Sequence, residues 1–146
     1  MLLLLTKKQK KLGCFAGAIE LEDGTIITGR TSDFMGSCSA ILINALKYLA
    51  NIDDDTLLIS PSAFGPIQHL KTEYLGSINP RLHSDEILIA LSLSAVDNNE
   101  AKLALQQLPK LNGTQAHITS SIGPMDAKVF SSLGIQITYN AKNNNW

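Results

Sequence analysis

The sequence has few cysteines, few aromatic side chains and almost no net charge. Its 146 residues include only Cys14 and Cys38, with no CxxC spacing, which argues against a disulfide scaffold and favours a reducing compartment. The formal net charge is −1, so no overall field attracts nucleic acid or acidic lipid. We therefore expect a cytoplasmic protein that does not bind nucleic acid.

Long apolar runs are also missing. No stretch reaches the roughly 18 apolar residues that a membrane-spanning helix needs. The initial MLLLL is too short for a signal peptide, and its lysines follow the apolar run instead of preceding it. The content of 45% hydrophobic and 17% charged residues is that of a globular protein. We expect a soluble chain without a membrane partner. Residues 1–13 are predicted as a linker or truncated lead-in, 14–140 as a single α/β domain, and 141–146 as a disordered tail.

Turn signals and apolar periodicity predict an α/β (α+β) fold, a layered domain with a mixed sheet of about five strands and about five helices. Strands are predicted over 14–21, 25–29, 56–60, 115–121 and 135–139, the first two forming a hairpin around Asp23-Gly24. Helices are predicted over about 37–51, from Gly65-Pro66 to Gly76, from Ser84, from Asp97, and from Gly123-Pro124 to Gly134. In the second helix, Ile67, Leu70 and Tyr74 are predicted to face inward.

A first polar cluster precedes the helix predicted at 37–51. It consists of Arg30, Thr31, Ser32, Asp33, Gly36 and Ser37. Free N–H groups at a helix start bind anions, and Arg30 adds a full positive charge. However, Asp33 opposes an anion and the GxxxxGK[ST] signature is missing. Capping of the helix by Ser37 or Asp33 is therefore favoured over a ligand site.

A second polar cluster lies between two apolar helices. It consists of Lys71, Glu73, Asn79, Arg81, His83, Asp85 and Glu86. Arg81 can hold a carboxylate or phosphate with two hydrogen bonds, and His83 beside Asp85 and Glu86 can carry a proton near neutral pH. The same residues can instead cap helices and face solvent, and the sequence does not decide between these roles.

No metal or cofactor site is predicted. His69, His83 and His117 share no ligand spacing such as HxxxH or HxH, and His117 in its predicted strand is interpreted as a hydrogen-bonded core histidine and not as a ligand. Cys38 lies among apolar residues and is interpreted as part of the core. The G-x-S-x-G pattern of a serine nucleophile is also missing.

Three stretches resemble a known bacterial family when they are taken in order. They are GRTSDFMGSCSAILINALKYLANIDDD, then LISP followed by PIQHLKTEYLGSINPRLHSDEILIALSLSA, and then AHITSSIGPMDAKVFSSLGIQITYN. Over about residues 16 to 139 the chain resembles the C-terminal part of uncharacterised protein family 0371, domain of unknown function 1846. Members of that family are several times longer, so the resemblance implies that a larger N-terminal region is missing here. MLLLLTKKQKKLGCF departs from the family's usual lead-in.

A weaker likeness of layout is to the cytidine deaminases. GAIELEDGTIITG, a helix from Cys38-Ser39-Ala40, and ISPSAFGPIQHL follow one another as in that family. Ala40 stands where the deaminases place their general acid–base glutamate, and Pro61-Ser62-Ala63-Phe64 lacks their paired thiolates. Zinc needs three protein ligands to activate water, so the likeness does not imply deaminase chemistry.

These observations favour one function and leave two alternatives. The favoured prediction is an accessory or assembly domain that completes a small-molecule site, for an anionic metabolite or phosphate, or an oligomer interface. Its partner is the missing N-terminal region, a separate chain carrying that region, or a second copy of this chain. The first alternative is an enzyme domain acting on a polar metabolite through Arg81, His83, Asp85 and Glu86, and the second is a structural remnant without a ligand.

Overall fold

The computed structural model describes residues 16–140. The predictions for the lead-in, for Cys14 and for the tail lie outside these residues. The described part contains four strands and five α-helices, which confirms the predicted α+β class with a mixed sheet. Within residues 16–140, no helix is both long enough and apolar enough to cross a membrane.

The sheet has the order β2-β1-β3-β4. Its strands are β1, Ala16–Glu20, β2, Ile26–Arg30, β3, Gln115–Ile118, and β4, Gln136–Tyr139. β1 runs antiparallel to both β2 and β3, whereas β3 and β4 are parallel. The parallel pair requires a crossover connection, and the last helix of the chain supplies it.

The predicted hairpin around Asp23-Gly24 is confirmed, but its loop is longer than a two-residue turn. The Leu21 N–H donates to the Thr25 carbonyl at 2.9 Å, which closes the loop. Gly24 has φ +86°, a value that favours glycine. The Asp23 carboxylate accepts the Thr25 N–H at 2.8 Å, so aspartate and glycine have separate roles in this loop.

The described residues contain five α-helices, of which the first and the last pack on the sheet. They are α1, Ser37–Leu49, α2, Pro61–His69, α3, Ser84–Ser94, α4, Asn99–Leu105, and α5, Pro124–Ser132. α2 continues into one π-helical turn, Leu70–Tyr74, and a 3₁₀ turn, Leu108–Leu111, follows α4. Gly76 and Gly134, predicted to end helices, have φ of +72° and +76° as the left-handed termination of a helix requires.

α1 is the central helix of the core and packs directly on β1 and β2. Ten of its thirteen residues are buried, as its apolar circumference predicts. Gly29 of β2 permits the close approach, because a Cβ atom there would lie 2.8 Å from the backbone nitrogen of Ile41. The side of α1 away from the sheet contributes to a core shared with Ile87 and Leu91 of α3 and Phe130 of α5.

The strand predicted over 56–60 does not form. Leu58 and Ile59 are both buried, whereas Leu57 is 64% exposed. The burial of residues 57–59 therefore lacks the alternation between buried and exposed positions that a strand with one buried face shows. This segment leads directly into α2.

The second predicted helix exists and Ile67 packs against the core as predicted, but the start of the helix and the inward positions of Leu70 and Tyr74 were predicted wrongly. α2 begins at Pro61, and Pro66 lies in its interior, where it removes one backbone hydrogen bond. The π-helical turn then adds a residue to the helical repeat, with the Leu75 N–H donating to the Leu70 carbonyl at 3.0 Å. Lys71 turns inward as a result, and Leu70 and Tyr74 face solvent.

Candidate functional site

The two polar clusters predicted from sequence meet in the structure. Met35 and Leu82 form a parallel β-bridge. The Leu82 N–H donates to the Phe34 carbonyl at 2.8 Å, and the Ser39 hydroxyl donates to the Leu82 carbonyl at 3.0 Å. We call residues 31–37 and 79–86 together the polar junction. Its two halves are joined through their backbones, so they form one structural unit.

The first half of the junction is a tight loop built on Ser32. The Ser32 hydroxyl accepts the N–H groups of Phe34 and Met35 at 3.2 and 3.4 Å. Gly36 is the N-cap of α1, and no side chain caps this helix. The predicted capping by Ser37 or Asp33 is therefore wrong. Ser37 is buried as the first helical residue, and the exposed Asp33 accepts a hydrogen bond from Gln68 through its carbonyl oxygen.

Arg81 joins the two halves with its side chain. Its Nε donates to the Ser32 carbonyl oxygen at 2.7 Å, and its backbone N–H donates to Asn79 Oδ1 at 3.0 Å. Among residues 16–140, no hydrogen bond is made to the two terminal guanidinium nitrogens. The outer edge of the guanidinium therefore keeps the donors that bind a carboxylate or phosphate.

Lys71 and Glu86 form a largely buried ion pair behind the junction. Lys71 Nζ lies 2.7 Å from Glu86 Oε1, and the two side chains are 6% and 24% exposed. Lys71 also donates to the Arg81 carbonyl. Glu86 Oε1 additionally accepts the His83 N–H at 2.8 Å at the start of α3. Both charges are thus used to fasten the π-helical turn to α3, and neither is left over for an external ligand.

Asp126 is a junction partner that was not predicted from sequence. Its Oδ1 accepts both the Ser84 N–H and the Ser84 hydroxyl, at 2.9 and 2.6 Å. Ser84 is the first residue of α3, as predicted, and His83 is its N-cap. The first turns of α3 and α5 therefore meet at the Asp126 carboxylate. The only signal in the sequence was an acidic residue in the first turn after Gly123-Pro124.

Cys38 of α1 contacts the same carboxylate. Burial, and then the negative charge of Asp126, raise the pKa of the Cys38 thiol well above its ordinary value, and the thiol hydrogen-bonds Asp126. A thiol with a raised pKa is a poor nucleophile at neutral pH. This chemistry agrees with the prediction that Cys38 belongs to the core.

The remaining candidates differ in how they relate to the junction. His83 and Asp85 lie half-buried at the start of α3, and within the described residues no donor reaches the buried Asp85 Oδ1. Glu73 is exposed on the π-helical turn, and Arg30 is exposed at the end of β2. The structure thus joins the main residues of both clusters, and the ligand roles predicted for them stay predictions.

His117 is hydrogen-bonded on both ring nitrogens. Its Nδ1 lies 2.7 Å from Thr138 Oγ1, and its Nε2 lies 3.1 Å from Asn140 Oδ1. His117 is hydrogen-bonded as predicted, but it is only half-buried, so its assignment to the core is wrong. In the part of the chain that the structure describes, no three histidine, cysteine or acidic residues are grouped so as to hold a metal ion.

Two apolar features adjoin the junction. The first is a segment that follows α2, in which Leu70, Tyr74, Leu75 and Ile78 are 48%, 74%, 71% and 100% exposed. We call it the apolar segment 70–78. The second is a pocket of about 150 Å³, which we call the α2 pocket. Its walls are Phe34, Met35, Ile43, Lys47, Leu57, Leu58, Ile59, Pro61 and Phe64.

Fold and junction together define a small α+β domain. Its polar side chains are bonded to one another in the junction, and its apolar segment 70–78 is exposed to solvent. Residues 3–145 match the C-terminal domain of the family described as domain of unknown function DUF1846. The chain belongs to this family, which confirms the resemblance seen in the sequence.

Similar proteins include several named as UPF0371 proteins. The chain is 49% identical to the one from Corynebacterium urealyticum over 134 residues, which are 92% of this chain and 27% of that protein. It is 53% identical to the one from Corynebacterium diphtheriae over 130 residues, 89% of this chain and 26% of that protein. It is 46% identical to the one from Streptococcus uberis over 136 residues, which are 93% of this chain and 28% of that protein. The chain thus spans about a quarter of the length of these relatives.

Proposed function

We propose that this domain docks onto the N-terminal region of its family's polypeptide, whether that region lies on the same chain or on a separate one. The observation that carries the proposal is the apolar segment 70–78, four large apolar side chains within nine residues, all at least 48% exposed. Soluble monomers rarely expose a contiguous apolar patch without an interaction to cover it. The docking would be the accessory and assembly role that the sequence favours.

The rigidity of the segment supports this role. The π-helical turn that turns Leu70 and Tyr74 outward is fixed by Lys71, which is paired with Glu86 and bound to the Arg81 carbonyl. A surface held in one conformation loses little entropy when a partner binds. A buried ion pair therefore holds apolar side chains at the solvent-exposed surface. This arrangement does not stabilise an isolated domain, but it suits a docking surface.

The size of the relatives supports the N-terminal region as the partner. About three quarters of each UPF0371 relative lies outside the matched part, which corresponds to the C-terminal domain. A region of that size offers enough surface to bury the segment. A second copy of this chain is the other occupant, and its formation is a separate outcome of the tests below.

Docking would also bring a ligand to the polar junction. The terminal nitrogens of Arg81 make no hydrogen bond among the described residues, and the junction adjoins the apolar segment along the chain. We infer that Arg81, together with groups from the docked region, binds an anionic metabolite or phosphate. Within residues 16–140, Arg81 is the junction cation that is not paired with a carboxylate, so we expect phosphate to bind to the complex and not to the chain alone.

The experiment measures binding of this chain to the N-terminal region of the C. urealyticum relative, by calorimetry. We expect a complex, and we expect the double substitution Tyr74→Ser, Leu75→Ser to weaken it at least about thirtyfold, as loss of an interface hot spot does. The control is Val96→Ser, since Val96 is 78% exposed just beyond α3. No complex with the unaltered chain would overturn the proposal. Equal weakening by the control would place the interface elsewhere.

An enzyme domain is the second candidate function, with Arg81, His83, Asp85 and Glu86 in acid–base and anion-binding roles. Asp85 favours it, because its Oδ1 is buried without a donor among residues 16–140 and such atoms cluster at functional sites. Glu86 is already committed to Lys71 and to the start of α3. The docking role therefore explains more of the geometry.

A further inference from the structure

The α2 pocket is too small for an ordinary metabolite. Its volume is about 150 Å³, whereas sites for small molecules and cofactors usually enclose about 300–1,000 Å³. An engineered cavity of about 150 Å³ holds a benzene molecule. We propose that the α2 pocket receives a single bulky apolar side chain from the docked N-terminal region, an inference that rests on the proposed function. The pocket then acts as the anchor point of that interface.

The pocket has the buried apolar interior and the exposed rim that are typical of an anchor site. Leu58, Ile59 and Phe64 are buried at 7% exposure or less and form its interior, whereas the wall residues Phe34 and Leu57 are 46% and 64% exposed. The Phe34 and Phe64 rings lie 4.9 Å apart and tilted by 38°. An incoming side chain would exclude water from both aromatic rings and from the exposed Leu57.

The one charged wall residue does not make the pocket polar. Lys47 is 7% exposed, and its Nζ donates to the Asp54 carbonyl at 2.9 Å. Asp54 is not part of the pocket wall, so the hydrogen bond is made outside it and the lysine stem contributes apolar surface. The remaining walls are apolar side chains, and they favour a leucine, methionine or phenylalanine over a charged group.

The pocket is continuous with the proposed interface. Pro61 and Phe64 belong to α2, which leads into the apolar segment 70–78. At 1.5 Å per helical residue, Phe64 and Tyr74 are roughly 15 Å apart along that helix. Phe34 and Met35 belong to the polar junction. The pocket, the junction and the segment thus lie close together along the chain, and the proposed docked region would cover all three.

The first experiment uses the chain alone, with benzene as the probe. We expect benzene to raise the melting temperature and to shift the NMR signals of the Phe34 and Phe64 rings. Ile43→Phe fills the pocket from within and should abolish both effects, whereas Ile137→Phe, the same substitution at a half-buried position of β4, should leave them unchanged. The lack of any response to benzene would overturn the inference. Binding of butyrate at micromolar concentration would also do so, because the pocket would then be a metabolite site.

The second experiment uses the complex with the C. urealyticum N-terminal region. We expect Ile43→Phe to weaken it at least about thirtyfold. Leu57→Asp, a change at a position that is 64% exposed, should weaken it similarly without touching the core. A complex that forms equally well with both variants would overturn the anchor while docking stands. If the unaltered chain forms no complex, docking and anchor both fail.

Discussion

At the scale of single residues, the ion-pair and hydrogen-bond partners of a lysine determine the cost of burying its charge. Lys71 is buried because Glu86 neutralises it at 2.7 Å. Lys47 is nearly as buried, yet its amine is bound to a backbone carbonyl and not to a carboxylate. A buried ammonium without a close counter-ion destabilises the folded state, so these two lysines should respond differently to substitution and to pH.

We predict that Lys47→Met changes how stability depends on alkaline pH. Burial lowers the pKa of Lys47 below its ordinary value of 10.5, against the opposing charges of Asp54 and Asp55. Between the lowered pKa and 10.5 the unfolded chain binds more protons than the folded one, so the stability contributed by this residue rises with pH. Below that window the cost of burying the charge is fully present.

Urea unfolding between pH 7 and pH 10.5 measures this effect. The advantage of the Lys47→Met variant over the unaltered chain should be largest at neutral pH and should shrink towards pH 10.5. Lys102→Met, at an exposed position of α4, is the matched control and should show a constant difference. A Lys47→Met difference that does not vary with pH would contradict the prediction.

At the scale of elements, the start of α3 is held by a side chain from another helix. Asp126 in the first turn of α5 accepts two hydrogen bonds from Ser84 of α3. We predict that Asp126→Ala destabilises the chain by about 1–2 kcal/mol, as loss of a helix cap does. Asp126→Asn keeps an acceptor oxygen and should lose less than half of that. Denaturant unfolding measures both variants, and an unchanged midpoint for Asp126→Ala would show that water replaces the carboxylate.

Elements that depend on local signals were predicted correctly from the sequence. The β1–β2 hairpin follows from Asp23-Gly24, and the limits of α5 follow from Pro124 at its first position and Gly134 after its end. Such signals act within a few residues. They do not depend on what the element later packs against.

Elements that depend on distant contacts were not predictable in this way. The inner face of α2 was assigned from apolar spacing, but the ion pair with Glu86 draws Lys71 inward and leaves Leu70 outside. The polar junction likewise depends on Arg81 meeting Ser32, 49 positions away, and on Asp126 meeting Ser84, 42 positions away. One sequence shows the residue types but not which of them become neighbours.

At the scale of the whole molecule, the core and the open surface are on different sides of the same elements. α3 buries Ile87, Ala90 and Leu91, and it exposes Ile89 and Leu93 at 61% and 69%. Apolar residues exposed on α3 and on the segment 70–78 compete for any partner present. A docking surface differs from non-specific association in that substitution of one of these two groups, and not of the other, prevents the association.

We predict that the chain alone self-associates through the apolar segment 70–78 and that the N-terminal region of a relative disperses the self-associated form. The physical reason is that the same four side chains, each at least 48% exposed, have to be buried in either case. Analytical ultracentrifugation over a range of concentrations measures the self-association. Tyr74→Ser, Leu75→Ser should shift the chain to monomer, whereas Leu93→Ser on α3 should not. If Leu93→Ser alone produced the monomer, the self-associating face would be α3, and the segment would have to be covered only by the docked region.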